Sequence, residues 1–584
     1  MKPLRIVRSV DESMSWVHHA LDRLVDHDLC VEDDVDAALS NRIISTSNAF
    51  SGIAADHTAD NTIQTGVAER RNIGPGKCVR FQHVWALEKR HSCQEELLHE
   101  TVRPSHVFGD IMNCMPHSVR SMAASTVDRT DLRRAMLMAT PLMAMHCVAC
   151  GKPCSILWTE WHTAGSPCTD FSSYGLGLEL DGPTARYFWA WCALMLHMRP
   201  HIIFHENVQK FGETELAAIF GGHYIFCRIL TTPNSEGWAI RRGSPDGRQI
   251  VILVLKAWLL PLLGALDVDP DILWIRDLHK LMFRRKCAYD LAAYSDSVTD
   301  EDIFNFKKWA FNRPKCRIRW QIVDELRVAV ENGTLEKVRS MLVATHGEKV
   351  VNAAIKFKND DPKSAFFVLT AAERVRLECG RACKPLAVWD VSQDPNHRQI
   401  CSRERSGSFR DLPTLMAGMG LLFDLRTESL IAIEACFTAM GFAITQEHQN
   451  IAATCQFSRG QVLAANRSYR SCMRQVGNTM HVNSIGSCHL LMALLTPRAK
   501  ATANRSSFAS RHLKARQSSD ISEPESLIGL NRWHPVLLAQ DPAEERLMNS
   551  RKRTLFESRT LSVARVTRRK AGSTSFSVMY RENR

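Results

Sequence analysis

From Asn41 onward, the chain alternates short apolar segments with segments of helical character. Strands that alternate with helices in this way assemble into a parallel sheet with helices on both faces. The sequence therefore predicts an α/β fold with a doubly wound sheet. Ligands of such folds bind beyond the carboxyl ends of the strands, so the residues that follow each predicted strand are the first candidates for a functional site.

Three predicted strands are followed by residues that suit a nucleotide-like cofactor. RIISTSNAF runs into the glycine turn FSGIAADH, residues 50–57, and glycine lets the backbone approach a ligand closely. FQHVWALEKR and SHVFGDI lead to Glu88 and Asp110. Acidic residues in such positions typically accept hydrogen bonds from ribose hydroxyls. Each feature is common in loops, and their order is what predicts a cofactor site.

One cysteine, Cys168, lies in the loop AGSPCTDFSSYGLG after the apolar segment SILWTEWHT. The segment predicts a strand over residues 155–163, and the proline before the cysteine stiffens the loop. The polar residues after Cys168 predict a helix beginning near Phe171, whose N-terminus would favour the thiolate form of a nucleophile. A single loop cysteine is more often structural, so its meaning depends on the other motifs.

Further motifs follow in the second half of this region. HIIFHENV predicts a buried strand that leads to Glu206 and Asn207. In WAIRRGSPDGRQIVILVL, the turn-forming insert GSPDG separates Arg241 and Arg242 from Arg248. Much later, RQVGNTMHVNSIG predicts a Gly-Asn turn that opens a helix.

In this order, the motifs resemble those of the DNA (cytosine-5) methyltransferase family. GSPCTDFS is similar to the family's Pro-Cys catalytic loop, Glu-Asn-Val to its second catalytic motif, FSGIAADH to its first cofactor motif and RQVGNTMHV to its last motif. Three features depart from the family pattern. Ala54 stands where a second glycine is usual, Ala443 stands where proline is usual, and the arginine motif is split.

The resemblance implies a Rossmann-like methyltransferase domain that uses S-adenosyl-L-methionine. Cys168 would add to C6 of a flipped-out cytosine, so that C5 can take up a methyl group. The catalytic residues that it implies are Cys168, Glu206, Asn207, Arg242 and Arg248. The cofactor-binding residues that it implies are Phe50, Gly52, Ile53, Glu88, Asp110, Ile111 and Asn478.

The resemblance also implies a division of the chain. The predicted parts are an N-terminal extension (1–40), the first part of the catalytic domain (41–258), an inserted target-recognition region (259–410), the second part of the catalytic domain (411–496) and a basic tail (497–584). The tail shows no apolar periodicity and is predicted to be disordered.

Net charge is +12, and the tail carries the basic clusters RKR and RRK. Basic segments favour polyanionic partners. Together with the resemblance, this charge leads us to expect double-stranded DNA as the partner, a chromatin or recruitment partner through the tail, no membrane association, and nuclear localisation.

Three cysteines in CVACGKPC, namely Cys147, Cys150 and Cys154, resemble half of a zinc site. No second cysteine pair follows at a zinc-site spacing, so the sequence predicts no metal. Two functional alternatives also remain. One keeps the chemistry but takes transfer RNA as substrate. The other is a non-catalytic DNA-binding or scaffolding protein, which the three departures from the family pattern and the long segment between Asp110 and Cys168 favour.

Overall fold

A computed structural model describes residues 4–27, 32–99, 103–125, 128–172, 177–240, 248–259, 274–289, 291–294 and 469–496, with short pieces between 325 and 448. The chain divides into two compact units, residues 1–516 and 517–584, and the second unit lies wholly outside the described residues. The predicted tail and most of the predicted target-recognition region also lie outside them. The predicted boundaries between the parts stay predictions.

The described strands are β1 Ile6–Val7, β2 Ile43–Ala49, β3 Arg80–Leu87, β4 His106–Phe108, β5 Ala144–Cys147, β6 Lys152–Ser155, β7 Trp161–Ala164, β8 Ile202–Val208, β9 Tyr224–Thr231, β10 Arg248–Leu255, β11 Lys286–Cys287, β12 Val388–Asp390, β13 Leu422–Asp424 and β14 Ser429–Leu430. The principal described helices are α1 Val10–Met14, α2 Trp16–Asp26, α3 Glu32–Leu39, α4 Ala55–Arg70, α5 His91–His99, α6 His117–Ala124, α7 Arg129–Met138, α8 Ala185–Met198, α9 Glu213–Phe220, α10 Trp274–Phe283, α11 Leu335–His346, α12 Ile433–Ala439, α13 Tyr469–Asn478 and α14 Val482–Leu495.

Nine of the described strands form one sheet in the order β6-β5-β4-β3-β2-β7-β8-β10-β9. The central strands from β4 to β8 are parallel, whereas β5, β6, β9 and β10 pair antiparallel at the two sides. The chain runs outward from β2 through β3 to β4, then returns to β7 on the other side of β2. The sheet therefore has its topological switch point between β2 and β7, which confirms the predicted α/β fold.

Some predicted elements differ in extent from the observed ones. The strand predicted over residues 155–163 begins only at Trp161, because Ser155 pairs with Ala144 in the β5–β6 hairpin. Glu206 and Asn207 lie within β8 rather than after it, and they pair with Ile250 and Gln249 of β10. The pairing with β10 therefore holds the Glu-Asn pair within the sheet, which fixes its position more firmly than a loop would.

The N-terminal helices pack onto the same core as the sheet's own helices. In α2, Trp16 lies against Phe283 of α10, with ring centroids 6.1 Å apart. A Cβ built on Gly486 of α14 would lie 2.8 Å from the Trp16 ring, and one on Gly66 of α4 would lie 2.9 Å from Val17. These close approaches require glycine. Among the described helices, none is both long and apolar enough to cross a membrane.

A buried histidine links α10 to α14. The His279 Nε2 atom lies 2.7 Å from the Ser487 Oγ atom. Burial, with a smaller effect of the Lys280 charge, lowers the pKa of His279 from 6.5 to about 3. The neutral ring therefore contributes stability that is fully present above about pH 6.5 and is lost as the pH falls toward 3.

This shift predicts a pH-dependent cost for a His279→Leu substitution. At pH 7.5 the variant loses the buried hydrogen bond and is less stable. At pH 5.0 the unfolded wild-type chain gains a proton that the folded chain rejects, so the deficit of the variant should shrink by about 2 kcal/mol. Urea unfolding of both proteins at the two pH values measures the difference. A deficit that stays constant with pH would contradict the assigned shift.

Candidate active site

A cleft of about 260 Å³ opens where the carboxyl ends of β2, β3, β4 and β7 meet β8. It lies at the topological switch point, since Ala49 at the end of β2 pairs with Ala164 at the end of β7. The cleft brings together most of the predicted site residues. Those that line it are Phe50, Gly52, Glu88, Asp110, Ile111, Cys168, Glu206, Arg248 and Asn478.

Of the other three predicted site residues, two are fully buried and one lies outside the described residues. Ile53 is fully buried behind the glycine turn and does not line the cleft. Asn207 is also fully buried, and its Nδ2 atom donates to the backbone oxygen of Ser166 at 3.2 Å and to Ser166 Oγ at 3.0 Å. Asn207 therefore positions the loop that precedes Cys168. Arg242 lies outside the described residues.

Cys168 is a half-buried free thiol in a tight turn. Its carbonyl oxygen accepts hydrogen bonds from the backbone amides of Phe171 and Ser172, at 3.0 and 2.8 Å. The Asp170 carboxylate accepts from the backbone amide of Thr184 at 2.9 Å and from its hydroxyl at 2.6 Å. The helix predicted near Phe171 is wrong, because residues 169–172 form a turn that Asp170 fastens to the residue before α8.

Glu206 and Arg248 form an ion pair in the cleft. The Arg248 Nη1 atom lies 2.7 Å from one carboxylate oxygen of Glu206 and 2.9 Å from the other. Burial alone would lower the pKa of Arg248, but the charges of Glu206 and Cys168 raise it above its ordinary value. The guanidinium therefore remains charged beside the thiol. Of the three candidate arginines, Arg248 is the one that the structure places in the cleft, while Arg241 and Arg242 lie outside the described residues.

A buried histidine supports the underside of the cysteine loop. The His205 Nε2 atom lies 2.9 Å from the Ser166 hydroxyl, and its ring stacks on Trp191 with centroids 4.9 Å apart. Burial lowers the pKa of His205 to about 3, so the ring is neutral at physiological pH. Together with Asn207, the His205 ring fixes the position of Ser166 without placing a charge beside the cysteine loop.

The opposite wall of the cleft is acidic. Glu88 accepts hydrogen bonds from the backbone amides of Gly52 and Arg90, at 2.9 and 2.8 Å. Burial raises the pKa of Glu88 above its ordinary value, and these two hydrogen bonds oppose the shift. Asp110 forms an ion pair with Lys89 at 2.8 Å. A carboxylate offers about four acceptor sites, so both groups keep capacity for a hydroxyl or amine donor.

The last predicted motif lies against the first, although its local structure differs from the prediction. Gly477 and Asn478 belong to the end of α13 rather than to the start of α14. A Cβ built on Gly52 would lie 3.5 Å from the Asn478 backbone oxygen. A Cβ on Gly165 would lie 2.9 Å from Met480 Cε, so this glycine lets the β7 loop pass closely beneath the α13–α14 connection.

Ala54, which departs from the glycine of the family pattern, has a φ of 53° and a ψ of 58°. This left-handed conformation costs a non-glycine residue about 1–2 kcal/mol, partly offset by the greater chain entropy of glycine when unfolded. Ala54 is fully buried and does not line the cleft.

We expect Ala54→Gly to stabilise the protein by up to about 1 kcal/mol without changing cofactor affinity. Thermal unfolding and cofactor titration test this, and a lower midpoint would contradict it.

Sequence reasoning assigned no role to several residues that line the cleft. These are Ser166, Lys89, Arg90, Tyr187 and Met480. All but Tyr187 lie within stretches that the motifs marked, where nothing singled them out. Tyr187 comes from α8, and its hydroxyl lies 3.2 Å from the Lys89 Nζ atom, a contact that only packing reveals.

The fold and the cleft agree with the predicted architecture. A Rossmann-like sheet carries a cleft at its switch point, and a loop cysteine and an ion-paired glutamate line that cleft. Residues 160–222 match the family model for C-5 cytosine-specific DNA methylase. This segment contains Cys168, Glu206 and Asn207, and the match confirms the resemblance to the DNA (cytosine-5) methyltransferases.

No curated protein matches this chain. Among solved structures, S. pombe Dnmt2 methyltransferase is 12% identical with a TM-score of 0.34, and the match covers 77% of this chain and 98% of that chain. The Entamoeba histolytica methyltransferase EhMeth is 10% identical with a TM-score of 0.37, and the match covers 78% of this chain and 99% of that chain. Identities and TM-scores this low support no conclusion about substrate.

Proposed function

We propose that this protein transfers a methyl group from S-adenosyl-L-methionine to C5 of cytosine in double-stranded DNA. One observation carries the proposal. The Cys168 thiol and the Glu206–Arg248 ion pair line the same cleft as the acidic residues at the ends of β3 and β4. The cleft thus combines a nucleophile and hydrogen-bonding groups for a base with acceptors for a nucleoside cofactor.

The nucleophile is needed because C5 of cytosine is a weak nucleophile. Addition of a thiolate to C6 breaks the C5–C6 double bond and moves its electron density toward C5, which can then form the new bond to carbon. Loss of the C5 proton to a base and departure of the sulfur restore the ring. Cys168 is half-buried, is free and sits in a turn with a defined backbone, so its sulfur is accessible from the cleft.

The Glu206–Arg248 ion pair supplies the hydrogen-bond donors that the pyrimidine ring requires during this addition. Negative charge develops on N3 and O2 as the sulfur adds, and hydrogen-bond donors in a low-dielectric site stabilise it. Arg248 carries a positive charge and donors at this point, and Glu206, once protonated, can donate to N3. The pairing of β8 with β10 holds both side chains in fixed register, with Arg248 opposite Val208.

The cofactor side of the cleft fits an adenosine-containing molecule. When bound, S-adenosyl-L-methionine supplies an electrophilic methyl group. Glu88 and Asp110 would accept hydrogen bonds from the ribose hydroxyls and the adenine amino group, as the family resemblance implies. Gly52 has a φ of 56°, and its amide is held by Glu88, so the turn presents backbone rather than a side chain to this part of the cleft.

Charge and the target atom support a nucleic acid as the substrate, and duplex DNA is the form that we propose. The net charge of +12 favours a polyanion. C5 of a paired cytosine is enclosed by the base stack, so the base has to be flipped out before it can reach the cleft. A cleft that receives one flipped base beside Cys168 suits this requirement.

A methyl-transfer assay tests the proposal. Purified full-length protein is incubated with radiolabelled S-adenosyl-L-methionine and one of three substrates: a duplex DNA, the same duplex with 5-methylcytosine at every cytosine, or a transfer RNA transcript. We expect label in the unmodified duplex only. Label in the RNA only, or cofactor binding without transfer to any substrate, would overturn the proposed function in favour of an RNA enzyme or a non-catalytic protein.

A further inference from the structure

Four side chains with metal-binding groups meet at the edge of the sheet. They are His106, Cys147, Cys150 and Cys154, and their ligand atoms all lie within 4.8 Å of one another. His106 begins β4, Cys147 ends β5, Cys150 lies in the turn between β5 and β6, and Cys154 lies in β6. None of the four lines the cleft, so the proposed methyl transfer makes no use of them.

Two distances within this cluster match those of a tetrahedral metal site. The sulfur atoms of Cys147 and Cys150 lie 3.7 and 3.6 Å from the same ring nitrogen, His106 Nδ1. Zinc binds sulfur at about 2.3 Å and nitrogen at about 2.0–2.1 Å, so the ligand atoms of a tetrahedral zinc site lie about 3.5–3.8 Å apart. Both sulfur–nitrogen distances already have this spacing.

The backbone between the cysteines turns their sulfurs toward one point. The Gly151 amide donates to the Cys147 carbonyl oxygen at 2.9 Å, and Gly151 has a φ of 67°. A glycine directly after Cys150 therefore allows the tight turn that places Cys147 and Cys150 on the same side. Three sulfurs this close repel one another as thiolates unless a cation lies between them.

The hairpin that carries the cysteines has few backbone links to the sheet. β5 pairs with β4 at Phe108 and Cys147, and the Val148 amide donates to the Val107 carbonyl oxygen at 2.7 Å. Beyond the hairpin, β6 is the edge strand and contains Pro153, which removes a donor from the ladder. A metal ion bound by both His106 and the cysteines would therefore add a strong link where hydrogen bonding is sparse.

We propose that His106, Cys147, Cys150 and Cys154 bind one zinc ion as a structural site that fastens the β5–β6 hairpin to β4. Three thiolates and one imidazole complete a tetrahedral coordination shell with no open position, which is typical of structural rather than catalytic zinc. The three thiols release their protons to solvent on binding, and the imidazole binds in its neutral form through Nδ1. The sequence alone predicts no metal here, because it shows only the three cysteines.

The proposed zinc site also affects the side of the cleft that contains Glu88 and Asp110. β4 begins at His106 and ends at Phe108, and Asp110 follows it into the cleft. A metal ion on the first residue of this short strand restrains the segment that positions Asp110. Loss of the metal should therefore loosen the hairpin first and the Asp110 loop second.

Metal analysis of the full-length protein tests this inference without any methyl donor or nucleic acid. The protein is produced without a polyhistidine tag, purified under reducing conditions and analysed by plasma mass spectrometry. We expect about one zinc per chain. A mercurial thiol reagent should release it to a chromogenic chelator, and cobalt exchanged into the site should show the visible absorption of a tetrahedral ion with thiolate ligands.

Matched variants locate the ion. The double substitution Cys150→Ser with Cys154→Ser should lose the metal, and so should the single substitution His106→Ala. His146→Ala should keep the metal, because His146 is an exposed histidine of β5, the strand of Cys147, and lies outside the cluster. Metal-free wild-type protein that takes up no zinc after reduction and incubation with zinc would overturn the inference. So would a zinc content that the cysteine variants leave unchanged. The proposed methyl transfer stands or falls separately from either result.

Discussion

Replacing Cys168 by alanine is expected to abolish methyl transfer to cytosine, with a loss on the order of 10⁴-fold or more, as is usual when a covalent nucleophile is removed. The reason is chemical, because without addition to C6 the carbon at C5 has too little electron density to attack an electrophilic methyl group. The fold should survive, since Cys168 is only half-buried and its turn is held by its carbonyl oxygen rather than by its sulfur. Single-turnover transfer of labelled methyl measures the loss.

A matched control separates chemistry from folding. Cys287→Ala removes another half-buried cysteine, on β11, that does not line the cleft, and it should retain wild-type activity. DNA binding by Cys168→Ala should remain measurable, because the phosphate contacts that dominate affinity do not involve this thiol. Cys168→Ala protein that methylates at the wild-type rate would contradict the covalent mechanism.

The second large effect is expected for Glu206→Gln. The amide keeps the size of the side chain but cannot deliver a proton to N3 and has no charge to pair with Arg248. General acid catalysis contributes about 10²–10⁴-fold, and we expect the rate of the chemical step to fall within this range. Cofactor affinity should change little, because Glu206 lies on β8, on the opposite side of the switch point from the β3 and β4 residues proposed to hold the cofactor.

Glu213→Gln provides the comparison for this variant. Glu213 also pairs with an arginine, Arg228, at 2.8 Å, but this pair does not line the cleft. Loss of charge there should leave the rate within about twofold of wild type, because this partly exposed ion pair lies outside the cleft and takes no part in the proposed chemistry. A Glu206→Gln protein with an unchanged single-turnover rate and a normal unfolding midpoint would show that Glu206 is not part of the chemistry.

The order of residues at strand ends could be predicted from the sequence because local rules govern it. Apolar strands lead to Gly52, Glu88 and Asp110, and parallel strands necessarily present their carboxyl ends at one edge of the sheet. The structure places these three residues in one cleft with Cys168 and Glu206. The order of the motifs was therefore enough to predict that these residues lie in one site.

What sequence reasoning missed depends on packing between distant parts of the chain. Asn207 was predicted as a site residue, but its partner Ser166, 41 positions away, was not. His106 reaches Cys147 across the same separation, and neither contact has a local signature. The helix predicted near Phe171 failed for a related reason, because Asp170 bonds to Thr184 and residues 169–172 form a turn. Long-range side-chain contacts decided all three cases.

Covalent trapping tests the central claim most directly. Duplex DNA containing 5-fluorocytosine is incubated with the protein and S-adenosyl-L-methionine, then denatured. After addition of sulfur to C6 and methyl transfer, the fluorine at C5 cannot leave as a proton does, so the enzyme stays bonded to the DNA. The account predicts a denaturation-resistant adduct that forms with wild-type protein and is absent with Cys168→Ala. An adduct that persists in Cys168→Ala, or no adduct from a wild-type protein that methylates ordinary DNA, would contradict it.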